Sequence, residues 1–366
     1  MRTRSILTVL VLAAAAISAN DAAAQDEKKP LFTTLRLEAR ADFEVDRTTI
    51  YDHPWGQSES NETTETPYGF RGKYFNLHAG GNMGDKLSYY FRQRINANAG
   101  NIRFFDNTDF LYFNYQPSKN WGLRFGKDAL AVGGFEYDAP PIDILFNGYY
   151  WDMYYCFQLA ASAAWTSNDG NHTLRAQVAN SPYHYYMSPW GENSLLGYSL
   201  MWTGNMGHFK TLYSANLFDS GKGMMRYVAL GNMLQLDKWN AYLDIIYRNI
   251  GGTDKGCYSA IGQIEYLPND KWSLFVKGSY VKNEDHHGTD CLSLPNQKES
   301  YAGTGVFFRP FKNVRLHAFV AYYANEYNDY AFASLSGITV KGEKTLRCNI
   351  GATWNINILE AMRKRM

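Results

Sequence analysis

The chain has 366 residues and carries 36 Lys+Arg against 35 Asp+Glu, with 28 Tyr, 21 Phe and 9 Trp. Its mean hydropathy is -0.40, and no apolar run beyond residue 19 reaches the roughly 18 residues that a membrane-spanning helix needs, which excludes a helical membrane protein. The charge balance and the lack of a basic block exclude a nucleic-acid-binding surface, and they leave any charge selectivity to the placement of individual side chains.

The N-terminus reads as an export signal. Arg2 and Arg4 form a positive n-region, Ile6 to Ala19 an apolar h-region too short to span, and Ala22 and Ala24 an A-x-A cleavage pattern. Residues 1–24 are then the signal peptide, and the mature chain begins at Gln25 with 34 Lys+Arg and 34 Asp+Glu. Residues 25–366 read as one domain, without a linker, a low-complexity tract or a repeat of fixed period.

Along this domain the dominant signal is a period of two. In the first segment Leu35, Leu37, Ala39, Ala41, Phe43 and Val45 share one face, and Arg36, Glu38, Arg40, Asp42 and Glu44 the other. A strand with one apolar and one charged face fits a large membrane barrel, with lipid outside and a wet lumen inside. The pattern returns where Leu87, Tyr89 and Phe91 oppose Tyr90, Arg92 and Arg94, and again where Trp239, Leu243 and Ile245 oppose Asn240, Asp244 and Arg248. Near the end Val314, Leu316 and Val320 oppose Arg315 and His317, and Leu346, Cys348 and Ile350 oppose Arg347 and Asn349. The many Tyr and Trp suit interfacial girdles, where one end of a ring is apolar and the other wet.

Breakers divide the chain into sixteen candidate strands: 32–46, 67–79, 86–99, 107–116, 120–128, 149–166, 172–180, 195–204, 207–218, 224–236, 238–250, 256–267, 271–283, 298–309, 313–325 and 343–356. Short turns such as Gln116-Pro117-Ser118-Lys119 and Arg309-Pro310-Phe311-Lys312 alternate with longer segments at 47–66, 129–148, 180–194, 284–297 and 326–342. This is the plan of an all-β, sixteen-stranded antiparallel transmembrane barrel with short periplasmic turns and longer external loops. A soluble β-sandwich explains the charged inward rows poorly. Strands 67–79, 107–116, 224–236 and 298–309 have ambiguous parity; in the first of them, for example, Arg71 and Lys73 share a face with Phe75 and Leu77, as a bulge or a wall contact under a loop would produce.

Two segments carry a family resemblance. Trp121-Gly122-Leu123-Arg124-Phe125-Gly126-Lys127, followed by Gly133-Gly134-Phe135-Glu136-Tyr137-Asp138 and Pro141-Ile142-Asp143, resembles the phosphate-selective porin O and P family in its Bacteroidetes branch, as does the ending Ile350-Gly351-Ala352-Thr353-Trp354-Asn355-Ile356. The resemblance implies an anion-selective diffusion pore whose third external loop, here 129–148, folds into the lumen. It also implies a homotrimer in outer-membrane lipid. In that loop Gly133 and Gly134 permit a sharp bend, and Glu136, Asp138 and Asp143 can face cationic wall residues.

The expected anion path is Arg36, Arg40, Arg92, Arg94, Arg124, Arg175, Lys210, Arg248, Lys277, Arg315 and Arg347 by inward parity, with Lys127 from the family pattern. Against the eleven inward cations stand Glu38, Asp42, Glu44, Asp152, Asp244 and Glu265, an excess of five positive charges that lowers the barrier for anions. The alternative is that these cations pair with the carboxylates and stiffen the wall. Cys257 and Cys291 fall on adjacent hairpins at the external end and are expected to form a disulfide, while Cys156 reads as lumenal mid-strand. Asp285, His286, His287, Asp290 and Cys291 have ligand chemistry but sit in a polar loop and read as solvated, with no metal.

No nucleophile, base and orienter share the lipid-facing surface, so no enzyme and no cofactor is expected. The function expected is passive diffusion of small hydrophilic solutes, anionic or neutral, with a mild preference for anions such as phosphate. The alternatives are a carbohydrate-selective pore with stacked aromatics and a loop-based surface receptor or adhesin.

Overall fold

The computed structural model describes residues 30–54, 61–95, 107–148, 155–183, 195–221, 223–250, 256–283, 297–327 and 338–363. The expected signal segment, Asp152, the 285–290 polar cluster and Cys291 lie outside the described residues.

The strands are β1 (Thr34–Pro54), β2 in two pieces (Asn61–Glu65 and Tyr68–Asn82), β3 (Leu87–Arg94), β4 (Thr108–Tyr115), β5 (Trp121–Ala129), β6 (Phe157–Thr166), β7 (His172–Asn180) and β8 (Leu196–Met206). They continue as β9 (Phe209–Asp219), β10 (Met224–Gln235), β11 (Trp239–Ile250), β12 (Gly256–Asn269), β13 (Trp272–Asn283), β14 (Gln297–Phe311), β15 (Val314–Tyr327) and β16 (Ile338–Asn357). Both pieces of β2 pair with β1, interrupted at Thr66 and Pro67, where the proline has no N–H for the ladder. Every strand pairs antiparallel with the next, and β16 closes on β1 from Arg36↔Asn357 to Pro54↔Ile338. Closure leaves no sheet edge, which hydrocarbon would not tolerate.

All sixteen expected strands are present, with three corrections. β1 and β16 extend through much of the segments 47–66 and 326–342 expected as loops, because Arg47–Pro54 and Ile338–Leu346 bond each other. β6 starts at Phe157, so Cys156 precedes the strand instead of lying within it. The connection between β9 and β10, residues 220–223, is short although it lies at the long-loop end.

Burial runs opposite to that of a soluble protein. Ile264, Ile350, Leu243 and Phe125 are 56%, 62%, 47% and 69% exposed, while Arg40, Asp42, Glu136 and Asp244 are at most 3% exposed. Exposed apolar rows belong against lipid, and buried charges belong on an inner wall that something else covers. The ambiguous parity of the second strand is a bulge. Arg40 pairs with Tyr74 and Ala41 with Gly72, so Lys73 is the extra residue. Lys73 and Arg71 then both reach Glu44, at 2.8 and 3.0 Å. After β16 a short helix, Ile358–Arg363, packs Leu359 on Leu35 at the short-turn end.

Candidate functional site

β5 delivers the chain into residues 130–148, and this segment lies against the inner wall. The Ala131 N–H donates to Gln177 Oε1 of β7 at 2.7 Å, and Gly133 N–H donates to Ser214 Oγ of β9 at 2.8 Å. Backbone meets backbone here. A Cβ on Gly133 would stand 2.4 Å from the Leu212 carbonyl oxygen, and one on Gly231 of β10 would stand 2.9 Å from Gly134 Cα. Gly134, at φ 112°, makes the bend that starts helix α1 (Phe135–Asp138).

The first turn of α1 sits on a carboxylate. Phe135 N–H and Glu136 N–H each donate to Asp244 of β11 at 2.9 Å, a favourable match of anion and helix N-terminus. Glu136 itself, 1% exposed, forms an ion pair with Lys277 of β13 and accepts from Tyr301 Oη at 3.3 Å. Lys277 also donates to the Phe146 carbonyl at 2.8 Å, so one lysine ties both limbs of the segment to the wall. Between the limbs, a 3₁₀ turn (Pro141–Asp143) puts Asp143 2.5 Å from Arg315 of β15. Arg40 of β1 donates to the Ile144 carbonyl at 2.9 Å and is itself held by Asp42 at 2.7 Å. Asp42 accepts further bonds from His317 Nε2 and Asn349 Nδ2, at 3.0 and 3.1 Å.

The space left beside the segment is a cavity of about 920 Å³. Arg36, Arg92, Arg94, Arg175, Arg309, Lys312 and Arg315 line it, with Glu38, Asp138 and Asp143. Two carboxylates lie behind the arginines. Asp109 takes Arg92 and Arg94 at 2.9 and 2.8 Å, and Asp128 takes Arg124 and Arg175 at 2.9 and 2.5 Å. Each trio keeps one net positive charge. Among the described residues, with Arg124, Asp109 and Asp128 included, eight cations face five carboxylates. Asp138 stands in the cavity. Partial desolvation by the surrounding wall raises its carboxyl above the ordinary range, against the pull of Arg175.

Several expected path residues lie elsewhere. Arg40 and Lys277, 3% and 4% exposed, anchor the 130–148 segment and do not line the cavity. Arg248, 2% exposed, donates to Cys257 Sγ at 2.8 Å, and Arg347 pairs with Asp46 at 2.7 Å. Lys210 is on the inward face of β9 but not on the cavity lining. Lys127, 4% exposed, follows Gly126 at φ 131°, pairs with Leu111 and Leu159 and lies 5.5 Å from the ring of Tyr155; it is not on the cavity lining.

The expected excess of five inward charges shrinks, because Asp46, Asp109 and Asp128 also pair with inward arginines. Asp128 was legible, since it shares parity with Arg124. Asp109 was hidden by a second bulge, between the pairs Arg92↔Phe110 and Gln93↔Thr108. Arg309 and Lys312 sit on a turn whose register shift between Phe308 and Phe311 brings both to the cavity.

These features have counterparts among known proteins. Residues 55–284 match the model of the phosphate-selective porin O and P family. No curated protein matches in sequence. Among solved structures, the outer membrane channel DcaP of Acinetobacter baumannii superposes with a TM-score of 0.63 at 13% identity, over 88% of this chain and 96% of that one. OccK7 (OpdD) of Pseudomonas aeruginosa gives 0.52 at 10% identity, over 89% and 100%. An anion-selective porin from Comamonas acidovorans gives 0.50 at 13%, over 87% and 100%. At such identities these likenesses establish the fold: a closed barrel of the kind that crosses the outer membrane. The family model spans well over half of the chain, and the chain belongs to the phosphate-selective porin O and P family.

Proposed function

We propose that this protein is an outer-membrane channel through which small hydrophilic anions diffuse passively, without catalysis. The 130–148 segment sets the constriction, and Arg36, Arg92, Arg94, Arg124, Arg175 and Arg315 form the anion path. The observation that carries this reading is the two-to-one sharing of Asp109 and Asp128 by arginines, which leaves the cavity wall positive in a chain of near-zero net charge. Rings of Arg lower the barrier for anions and raise it for cations. The zero-current potential of the purified protein in a planar bilayer under a KCl gradient tests it. A chloride-selective potential is expected, and a potassium-selective one rejects the reading.

A trimeric assembly is inferred alongside, because one of the similar structures, OmpT of Vibrio cholerae, is described in a trimer form at a TM-score of 0.50 and 12% identity. A single-barrel mass in mild detergent would reject it. Placement in the Bacteroidetes branch rests on the Trp121–Lys127 and Gly133–Asp143 segments.

A further inference from the structure

The wall that carries the arginines is aromatic. The Arg92 guanidinium carbon lies 4.4 Å from the centre of the Phe110 ring and 5.2 Å from that of Phe157, and Arg124 lies 4.1 Å over Tyr112. The rings touch each other as well: Tyr90 is 5.8 Å from Phe110 and 5.7 Å from Tyr112. Asp109 engages Arg92 and Arg94 at Nε, so their Nη donors are not spent on it. The 130–148 segment contributes Pro140, Pro141, Ile142 and Ile144 to the same cavity, side chains with no hydrogen-bond donor. One cavity thus joins stacked guanidinium groups to apolar surface.

Each feature favours a different part of one solute. A guanidinium stacked on a ring is held in place and keeps an in-plane fork of N–H donors that matches a carboxylate. The proline and isoleucine surface offers nothing to hydrated phosphate, which would lose water beside it without replacement. A flat apolar body gains from that surface in proportion to the area it shields. A sugar would need free ring faces, and Arg92 already covers one face of Phe110.

Resting on the anion-channel reading above, we propose that the solute class of this constriction is organic carboxylates with a flat apolar body, aromatic carboxylates foremost, ahead of inorganic phosphate. The test uses the full chain in planar bilayers, with chloride on one side replaced by benzoate, acetate or phosphate. Benzoate is expected to permeate at least about threefold better than acetate, the factor given by shielding about 30 Å² of ring, although it diffuses more slowly in water. Millimolar benzoate is expected to reduce the chloride current in a saturating way, with acetate and phosphate doing so only at higher concentration. The Phe110→Ser, Ile144→Ser double variant is expected to bring the benzoate-to-acetate ratio to one or below. The wild-type comparison decides by itself if that variant does not assemble. Benzoate permeating no better than acetate, phosphate saturating at lower concentration, current block by maltose, or an unchanged ratio in the variant would each overturn the proposal. A potassium-selective KCl potential instead removes the anion reading beneath it, so the two failures are distinguishable.

Discussion

Replacing Lys277 by Met tests what holds the 130–148 segment in the lumen. Lys277 is 4% exposed and neutralises Glu136, which is 1% exposed and has Oε2 without a hydrogen-bond partner among the described residues. Removing one member of a buried ion pair leaves an uncompensated charge and costs about 3–5 kcal/mol. The substitution also deletes the bond to the Phe146 carbonyl, so both limbs lose an anchor. Against this stand two N–H bonds from α1 to Asp244, about 1.5–3 kcal/mol each for bonds to a charged group. The two sums are comparable at α1, while Gln177, Ser214, Arg40 and Arg315 still hold the rest of the segment, so K277M is expected to populate a locally released α1 turn alongside the seated one. Single-channel recording should then show flicker between the wild-type level and a higher one. Adding Glu136→Gln removes the orphaned charge and should restore a single level near the wild-type value, since a buried pair replaced on both sides is often close to neutral. If K277M conducts at one unaltered level, or if the double variant flickers as much as the single one, the ion pair is not what seats the loop. Heat-resistant migration of the folded barrel on gels separates a released turn from failed assembly.

Other variants address selectivity and packing. Arg92→Gln with Arg94→Gln changes the Asp109 trio from one net positive to one net negative charge. Two unit charges about 8 Å from a passing ion amount to about 1 kcal/mol even at the dielectric of water, so the anion-to-cation permeability ratio should fall at least about fivefold. An unchanged zero-current potential removes these arginines from the path. Because the Asp138 carboxyl titrates above its ordinary range, protonation on mild acidification removes a negative charge from the cavity. Anion preference should therefore rise as the pH is lowered, and Asp138→Asn should show the raised preference at pH 7 with a flatter profile. A profile identical to wild type in that variant assigns the effect elsewhere. Gly231→Val, in the wall and outside the loop, should shift the conductance because its side chain collides with Gly134. Wild-type conductance would mean the two backbones are not in contact. A Cys257–Cys291 bridge, read from sequence, should appear as a linked peptide pair in mass spectra taken without reduction, and two unlinked thiols there would end it.

The barrel itself was written in the sequence. A period of two is local, so the alternation of Arg36 to Val45 or Trp239 to Arg248 stated strand, inner face and outer face without any tertiary knowledge, and breakers between such rows counted the strands. Two bulges marked where this reasoning stops. One extra residue, at Lys73 or at Asp109, inverts parity beyond it, and only pairing with the neighbouring strand reveals it. Lys127 shows the same limit, since a family pattern named the residue while the structure buries it beside Tyr155, off the cavity lining. What only the tertiary structure decided is which inward charges serve the pore and which serve the loop. Arg40, Asp244 and Lys277 look like any other inward residue along their strands. They become anchors because Ile144, Phe135 and Glu136, more than a hundred residues away in sequence, arrive within hydrogen-bond reach. Inward orientation depends on a residue's immediate neighbours, whereas pairing with the loop depends on the depth and azimuth at which a distant segment meets the wall.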